Sequence, residues 1–102
     1  MKTITLCGSM KFQSEMLAIA EKMELQGNCV LSPVYPAKDT YTDTELQMLS
    51  AMHREKIKRS DAILVVNVNG YIGSSTKSEI EYAKSLNKEV IYYTDLMGDM
   101  LK

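Results

Sequence analysis

The sequence predicts an α/β protein: a three-layer sandwich around a doubly wound, mainly parallel sheet of four or five strands, of the Rossmann-like or flavodoxin-like kind. Strand and helix patterns alternate as βαβαβαβ, and this alternation implies right-handed crossovers between parallel strands. Residues 61–68 (DAILVVNV) form a nearly unbroken apolar run, which predicts a central strand covered on both faces. The length of 102 residues suits one domain, predicted to span residues 1–102.

The first half of the chain predicts a strand, a helix and a short second strand. The β-rich segment 2–7 ends at a Gly-Ser pair and predicts the first strand. Apolar residues at helical spacing predict a helix over 10–26, with Gly27 at its C-terminal end. Residues 29–31 predict the second strand, and the proline-containing stretch 32–41 predicts a loop.

The second half repeats the strand and helix alternation. Thr42 and Glu45 match a capping box and predict a second helix to about Arg59. After the central strand the pattern predicts, in order, a loop over 69–75, a third helix over 76–87, a strand over 89–93 and a helical turn within 95–102.

Composition excludes several classes of function. A formal net charge of −1 gives no general attraction to phosphate backbones, so nucleic acid is not the expected partner. The longest apolar run is far too short to span a membrane, and the start of the chain lacks a signal-peptide pattern, so we expect a cytoplasmic protein. Cys7 and Cys29 lie in apolar runs and are expected to pack as small hydrophobic residues; with one histidine in the chain, no metal-ligand spacing is present.

In a doubly wound sheet, ligands bind beyond the carboxyl ends of the strands, so the residues after each strand are the candidate site. After the first strand, Gly8 permits close backbone approach, Ser9 offers a hydroxyl, and Lys11 adds a cation near the start of a helix, where an anion can bind. The alternative is that Gly8 and Ser9 form only a turn and an N-cap. Neither a dinucleotide-binding nor a P-loop glycine pattern is present.

The loop after the central strand supplies a second set of candidates. Its polar and glycine positions predicted to contact a ligand are Asn69, Tyr71, Gly73, Ser74 and Ser75. Glu79 follows in the first turn of the third helix, where a carboxylate can face the crevice. Thr76 and Glu79 also match a second capping box, in which Glu79 would only satisfy a backbone amide.

His53 is the remaining candidate. It lies on the apolar stripe of the second helix with Leu49 and Ile57, which is typical of a core histidine, yet imidazole is also suited to proton transfer near neutral pH. The basic residues that follow, Arg54 to Arg59, are predicted to form a solvated face. Met48 and Met52 widen the apolar surface of this helix and predict a subunit contact.

Two motifs carry a resemblance to a known family. The run LCGSMK at 6–11 together with SEIEYA at 78–83 resembles the nucleoside 2-deoxyribosyltransferase superfamily, and most closely its 2'-deoxynucleoside 5'-phosphate N-hydrolases. The resemblance implies that Glu79 is the catalytic nucleophile, that Ser9 and Lys11 contact a 5'-phosphate, and that His53 stands where the hydrolases carry a helper Asp.

The resemblance implies cleavage or transfer of the N-glycosidic bond of a (deoxy)nucleoside or nucleoside 5'-monophosphate through a covalent glycosyl-Glu intermediate. Ser74 and Ser75 would contact the sugar or phosphate, and Tyr35, Tyr41 or Tyr71 would stack on the base. The resemblance also implies that no cofactor or metal is used and that the chain forms a homodimer or higher homo-oligomer. The sequence departs from the family at Gly73, where an Asp or Ser is usual, and at Glu81, where a Gly is usual. The alternative is therefore a nucleotide-binding or sensor module without catalysis.

Overall fold

A four-stranded, wholly parallel sheet forms the centre of the molecule. The computed structural model describes residues 1–100, with the side chains of residues 1–96. The strands are β1 Thr3–Cys7, β2 Cys29–Leu31, β3 Ala62–Val65 and β4 Glu89–Tyr92. They lie in the order β2-β1-β3-β4, and every pair is parallel. The predicted α/β class and doubly wound parallel sheet are confirmed.

Four α-helices and two short 3-10 turns surround this sheet. The α-helices are α1 Gln13–Leu25, α2 Asp43–Arg59, α3 Ser74–Ser85 and α4 Tyr93–Met100. The 3-10 turns, Met10–Phe12 and Val68–Gly70, follow β1 and β3 respectively. No helix among the described residues is long and apolar enough to cross a bilayer.

The two faces of the sheet carry separate apolar clusters, because side chains alternate along each strand. Ile4 and Leu64 point toward α1, where Met16 is fully buried against them. The opposite face of the sheet packs against α2 and α3. The buried residues of this second cluster are Cys7, Ile57, Ile63, Val65, Ile80 and Ala83. The strands β1 and β3 are buried on both faces, and for β3 the apolar run at 61–68 predicted this burial.

Both α1 and α3 end in the same backbone motif. The amide of Gly27 donates to the carbonyl of Glu24, and the next amide donates to the carbonyl of Met23. At the end of α3, Asn87 takes the equivalent position with a φ of 59°, where Gly27 has 94°. These are Schellman ends, so the predicted C-terminal role of Gly27 is confirmed.

Several predicted boundaries are wrong by a few residues. The helix predicted over 10–26 begins with a 3-10 turn, and β3 is shorter than predicted because the chain turns into Val68–Gly70. The third helix begins at Ser74 and ends at Ser85, two residues earlier than predicted at each end. The final helix begins at Tyr93 and runs over about two turns; residues 101 and 102, where that segment was predicted to end, lie outside the described residues.

The prediction that Cys29 packs in the core is also wrong. Its side chain is exposed, because β2 is an edge strand and Cys29 is its first residue. Cys7, at the end of a strand inside the sheet, is fully buried.

The strand order places a crevice at one end of the sheet. From β1 the chain moves outward to β2, then crosses back beyond β1 to β3 and continues outward to β4. The direction of winding therefore reverses between β1 and β3, and at such a point the loops that follow the two strands separate. The carboxyl ends of β1 and β3 are Cys7 and Val65, so the crevice opens directly above them.

Candidate active site

A cleft of about 490 Å³ opens at the carboxyl ends of β1 and β3, on the side of the sheet covered by α2 and α3. Its walls come from five parts of the chain: the loops after β1, β2 and β3, the inner face of α2, and the start of α3. The lining residues that the sequence singled out are Gly8, Ser9, His53, Tyr71, Gly73, Ser74, Ser75 and Glu79.

Glu79 lies inside α3 and points into the cleft. The helix begins at Ser74 with Gly73 as the N-cap, so Thr76 is already the third helical residue and Glu79 the sixth. The capping-box interpretation of Thr76 and Glu79 is therefore wrong, since neither occupies the required position. The side chain of Glu79 remains 21% exposed. Its carboxylate is accessible from the cleft while most of the side chain is held by the protein.

His53 reaches the same point from α2. Its Nε2 lies 3.5 Å from Oε1 of Glu79, and the side chain is 10% exposed. The residue is buried as a core histidine would be, and it also lines the cleft, so both sequence interpretations describe part of its position. Its Nδ1 is buried and has no hydrogen-bond partner among the described residues. Nε2 is therefore the nitrogen placed for proton transfer.

Cys7 forms the floor beneath these two side chains. Its Sγ lies 3.5 Å from Nε2 of His53, within hydrogen-bonding distance for sulfur. Burial, together with the charge of the neighbouring Glu79 carboxylate, raises the pKa of the Cys7 thiol well above its usual value. Cys7 therefore stays a neutral thiol at neutral pH, and it contacts the site rather than acting only as a small hydrophobic residue.

The loop after β1 is held close to β3. A Cβ at Gly8 would lie 3.1 Å from the carbonyl oxygen of Val66, so only glycine fits there without a backbone shift. Ser9 is the N-cap of the 3-10 turn, its Oγ accepting from the amide of Lys11 at 3.3 Å, and it also lines the cleft. The predicted N-cap role of Ser9 is thus confirmed, and the same residue lines the cleft.

Lys11 does not line the cleft itself. Its Nζ lies 3.2 Å from the centroid of the Tyr71 ring, and Tyr71 in turn packs edge-on against Phe12 with the centroids 6.0 Å apart. Tyr71 is 47% exposed at the cleft wall. The ammonium group therefore stands at the rim, behind the aromatic ring.

The start of α3 forms the opposite wall. Gly73, Ser74 and Ser75 line the cleft, and the N-cap Gly73 provides no side-chain cap. The positive end of this helix dipole is thus directed at the cleft. Asn69 has a φ of 56° in the turn after β3 and, contrary to prediction, is not among the lining residues. Its left-handed backbone shapes the turn that brings Tyr71 to the wall.

Two of the three tyrosines predicted to stack on a base lie elsewhere. Tyr35 packs against the apolar cluster on the α1 side of the sheet, with its hydroxyl buried. Tyr41 accepts a hydrogen bond from the amide of Ala37, and Lys38 lies over its ring. Neither lines the cleft, so Tyr71 is the aromatic residue placed to contact a ligand.

Sequence reasoning missed one cationic residue of the site. Lys56 was predicted to lie on a solvated face, but it lines the cleft, half-buried, with its Nζ donating to the carbonyl of Ser32 at 2.6 Å. Arg54 is also half-buried, and donates to Ser78 on α3 at 2.6 Å. Lys56 follows His53 by three residues on the helix, and this spacing was the available signal, because residues three apart share a helical face.

In its fold, the chain is similar to solved structures of 2-deoxyribosyltransferases. No protein-family model matches the sequence, and no curated protein matches it. The fold expected from the two motifs is therefore confirmed by structure rather than by sequence comparison.

Solved structures that share this fold include the following two. One is a 2-desoxiribosyltransferase from Leishmania mexicana, with a TM-score of 0.70 and 18% identity over 91% of this chain. The other is a 2-deoxyribosyltransferase from Bacillus psychrosaccharolyticus, with a TM-score of 0.68 and 21% identity over 88% of this chain. The present chain spans 64% and 70% of their respective lengths.

Proposed function

We propose that the protein cleaves or transfers the N-glycosidic bond of a (deoxy)nucleoside or nucleoside 5'-monophosphate through a covalent glycosyl intermediate on Glu79. The observation that carries the proposal is the pairing of a cleft-facing carboxylate with an imidazole nitrogen 3.5 Å away. The similarity of fold to two 2-deoxyribosyltransferases supports the same class of chemistry.

The reaction has two displacements at the anomeric carbon. A carboxylate oxygen of Glu79 attacks C1' as the bond from C1' to the base nitrogen breaks, and the bonding electrons leave with the base. The departing base takes a proton from His53 or from water. Water, or a second base, then attacks C1' and frees the carboxylate, so the configuration at C1' is retained overall. These steps need no cofactor.

The walls of the cleft supply contacts for the other parts of the substrate. The hydroxyls of Ser9, Ser74 and Ser75 face the space where a sugar or 5'-phosphate would lie, and the positive end of α3 favours an anion there. Lys11 and Lys56 add cationic charge at the rim and wall. Tyr71, which is half-exposed, offers its ring for stacking on the base.

Hydrolysis is the favoured outcome of the second displacement. By the resemblance of the sequence, Thr5 in β1 is the nearest counterpart of a Tyr that the transferases of that family carry. Its side chain is fully buried, and its Oγ1 lies 2.5 Å from Oγ of Ser60. A side chain held in this way does not line the cleft and offers an acceptor base no contact, and we therefore expect water to be the acceptor.

The cleft is also expected to be completed by a second copy of the chain. Exposed apolar side chains of α2 and of the loop after β2 lie at the cleft: Val34, Leu46 and Met52 line it, and Met48 is exposed on the same helix. A homodimer would cover them and close the open side of the cleft.

A nucleotide-binding module without catalysis is the second candidate. Gly73 gives this wall no side chain with which to hold a sugar hydroxyl, although its φ of −77° and ordinary contacts would permit one. A protein with these walls but no hydrolytic turnover would bind a nucleotide and release it unchanged.

Incubation of the purified chain with each common nucleoside and its 5'-monophosphate, in the presence of a chelator, separates these functions. The proposal predicts time-dependent release of free base, detected by liquid chromatography. Calorimetric binding of a nucleotide without base release would support the second candidate, and the absence of both binding and release would refute both.

A further inference from the structure

Three potential metal ligands meet at the floor of the cleft, although they lie far apart in the sequence. They are Sγ of Cys7, Nε2 of His53 and a carboxylate oxygen of Glu79, and all three atoms lie within 4.8 Å of one another. They come from β1, α2 and α3, three elements fixed by core packing. The convergence is therefore a property of the fold and could not be read from ligand spacing along the chain.

Two of the three distances between these atoms match those of a tetrahedral zinc site. With Zn–S of about 2.3 Å and Zn–N and Zn–O of about 2.0–2.1 Å, neighbouring ligand atoms of a tetrahedron lie roughly 3.3–3.6 Å apart. The Sγ to Nε2 and Nε2 to Oε1 distances are both 3.5 Å. Two edges of the tetrahedron are thus already in place.

We propose that Cys7, His53 and Glu79 bind a Zn²⁺ ion, with the fourth position open to the cleft. A thiolate and a carboxylate together balance the charge of the ion, which suits a largely buried site. Glu79 and His53 line the cleft, so the ion enters from that side and a water molecule completes the tetrahedron.

Binding is an exchange of a proton for the ion, with no change of oxidation state. The S–H bond of Cys7 breaks, its proton leaves to solvent, and a Zn–S bond forms. His53 contributes a nitrogen lone pair and Glu79 an oxygen. Because Nδ1 of His53 has no acceptor among the described residues, we expect affinity about 10- to 100-fold below that of a site with this second contact.

The site has a regulatory consequence that depends on the proposed function. A carboxylate held by zinc cannot attack C1', and an imidazole held by zinc cannot donate a proton. The zinc-bound form is therefore inactive in base release, and a chelator restores the activity.

Cobalt(II) tests the site directly and without any assay of activity. The chain has two cysteines, so the Cys29→Ser variant retains Cys7 as its one thiol. We expect Co²⁺ to give this variant, like the wild type, a thiolate charge-transfer band and the intense visible bands of a four-coordinate ion. Absence of both features in Cys29→Ser would overturn the proposal, and this test needs no change to a buried residue.

Measurements of zinc affinity then test Glu79 and Cys7 as ligands. Competition with a chromophoric chelator should give one zinc per chain, with at least about 10-fold weaker binding in Glu79→Gln and in Cys7→Ser and unchanged binding in Cys29→Ser. Equal affinity in wild type and Glu79→Gln would contradict the proposal. Zinc binding by a chain that releases no base even after treatment with a chelator leaves the metal site intact and counts against the proposed function, whereas base release that zinc does not inhibit counts against the metal site.

Discussion

Glu79 lies in the cleft because of where α3 begins. The motif Thr-x-x-Glu occurs twice in this chain, and at Thr42 and Glu45 both hydrogen bonds of a capping box are made. At Thr76 the same motif lies inside the helix, with the threonine 3% exposed. This one difference moves Glu79 to the second turn, facing His53, and frees its carboxylate for chemistry.

His53→Asn tests whether the imidazole donates the proton to the leaving base. For a natural base we expect the rate to fall by about 10²-fold or more, the usual size of a general-acid contribution. A synthetic substrate whose leaving group needs no proton should react almost as fast as with the wild type. Parallel steady-state measurements on the two substrates give the answer. Similar losses on both, together with a lower melting temperature, would mean that His53 serves only packing.

Ser9→Ala and Lys11→Ala test the placement of the 5'-phosphate. Each should weaken monophosphates more than the matching nucleosides, since a hydrogen bond to a charged group contributes about 1.5–3 kcal/mol. Titration calorimetry with both ligand classes measures the contrast. Lys38→Ala is the matched control, because Lys38 also lies over a tyrosine ring but away from the cleft. Equal weakening of both ligand classes would contradict the placement of the 5'-phosphate at this loop.

At the level of single residues, sequence predicted which residues line the cleft better than it predicted their contacts. Gly8, Ser9, His53 and Glu79 were selected because they follow strands or match motifs, and all four line the cleft. The role of Cys7 was missed, because its contact with His53 joins residues 46 positions apart through the packing of α2 on β1.

The ends of α1 and α3 are set by a residue with left-handed backbone conformation rather than by the pattern of apolar side chains. Gly27 and Asn87 hold the left-handed position after α1 and α3, and both helices close with Schellman hydrogen bonds. The glycine was an evident signal in the sequence, whereas the asparagine was not. The end of α3 was therefore predicted two residues too late, while that of α1 was nearly correct.

Substitution of Gly27 and Asn87 by alanine tests this account of helix ends. Gly27→Ala should lower the free energy of unfolding by about 1–2 kcal/mol, because a Cβ is disfavoured in the left-handed region, whereas Asn87→Ala should lower it by less, because asparagine already carries a Cβ and only its tolerance of this region is lost. At Gly27 no atom lies within 4 Å of the added Cβ, so the loss would come from φ alone. Urea unfolding provides the measurement, and Glu21→Ala on the exposed face of α1 is the control. Losses no larger than that of the control would contradict the assignment.

For the whole molecule, the alternation of elements was sufficient to predict the class of fold but not the strand order. Nothing local distinguishes β2-β1-β3-β4 from another doubly wound order, and that order decides which loops meet at the crevice. The position of the cleft at the ends of β1 and β3 therefore could not be predicted without the strand order. The rule that ligands bind beyond the carboxyl ends of strands nevertheless predicted most of the segments that line it.

Met48→Glu tests the proposed association of two chains. Met48 is 58% exposed on α2 but does not line the cleft, so a charge there should separate a homodimer without altering the site. Sedimentation velocity should give a dimer for the wild type and a monomer for the variant. Leu17→Glu, at a similarly exposed residue of α1 on the other side of the sheet, should remain dimeric. A wild-type monomer would contradict the proposal.

The central claim, that Glu79 is the nucleophile, is tested most directly by the mass of the protein during turnover. Acid quenching of the wild type with its best substrate should trap a species heavier by one sugar residue, and peptide mapping should place the added mass on Glu79. Glu79→Gln should bind the same nucleotide, keep its melting temperature, carry no added mass and release no base. Base release by Glu79→Gln within a few-fold of wild type, or an adduct mapped to another residue, would contradict the account.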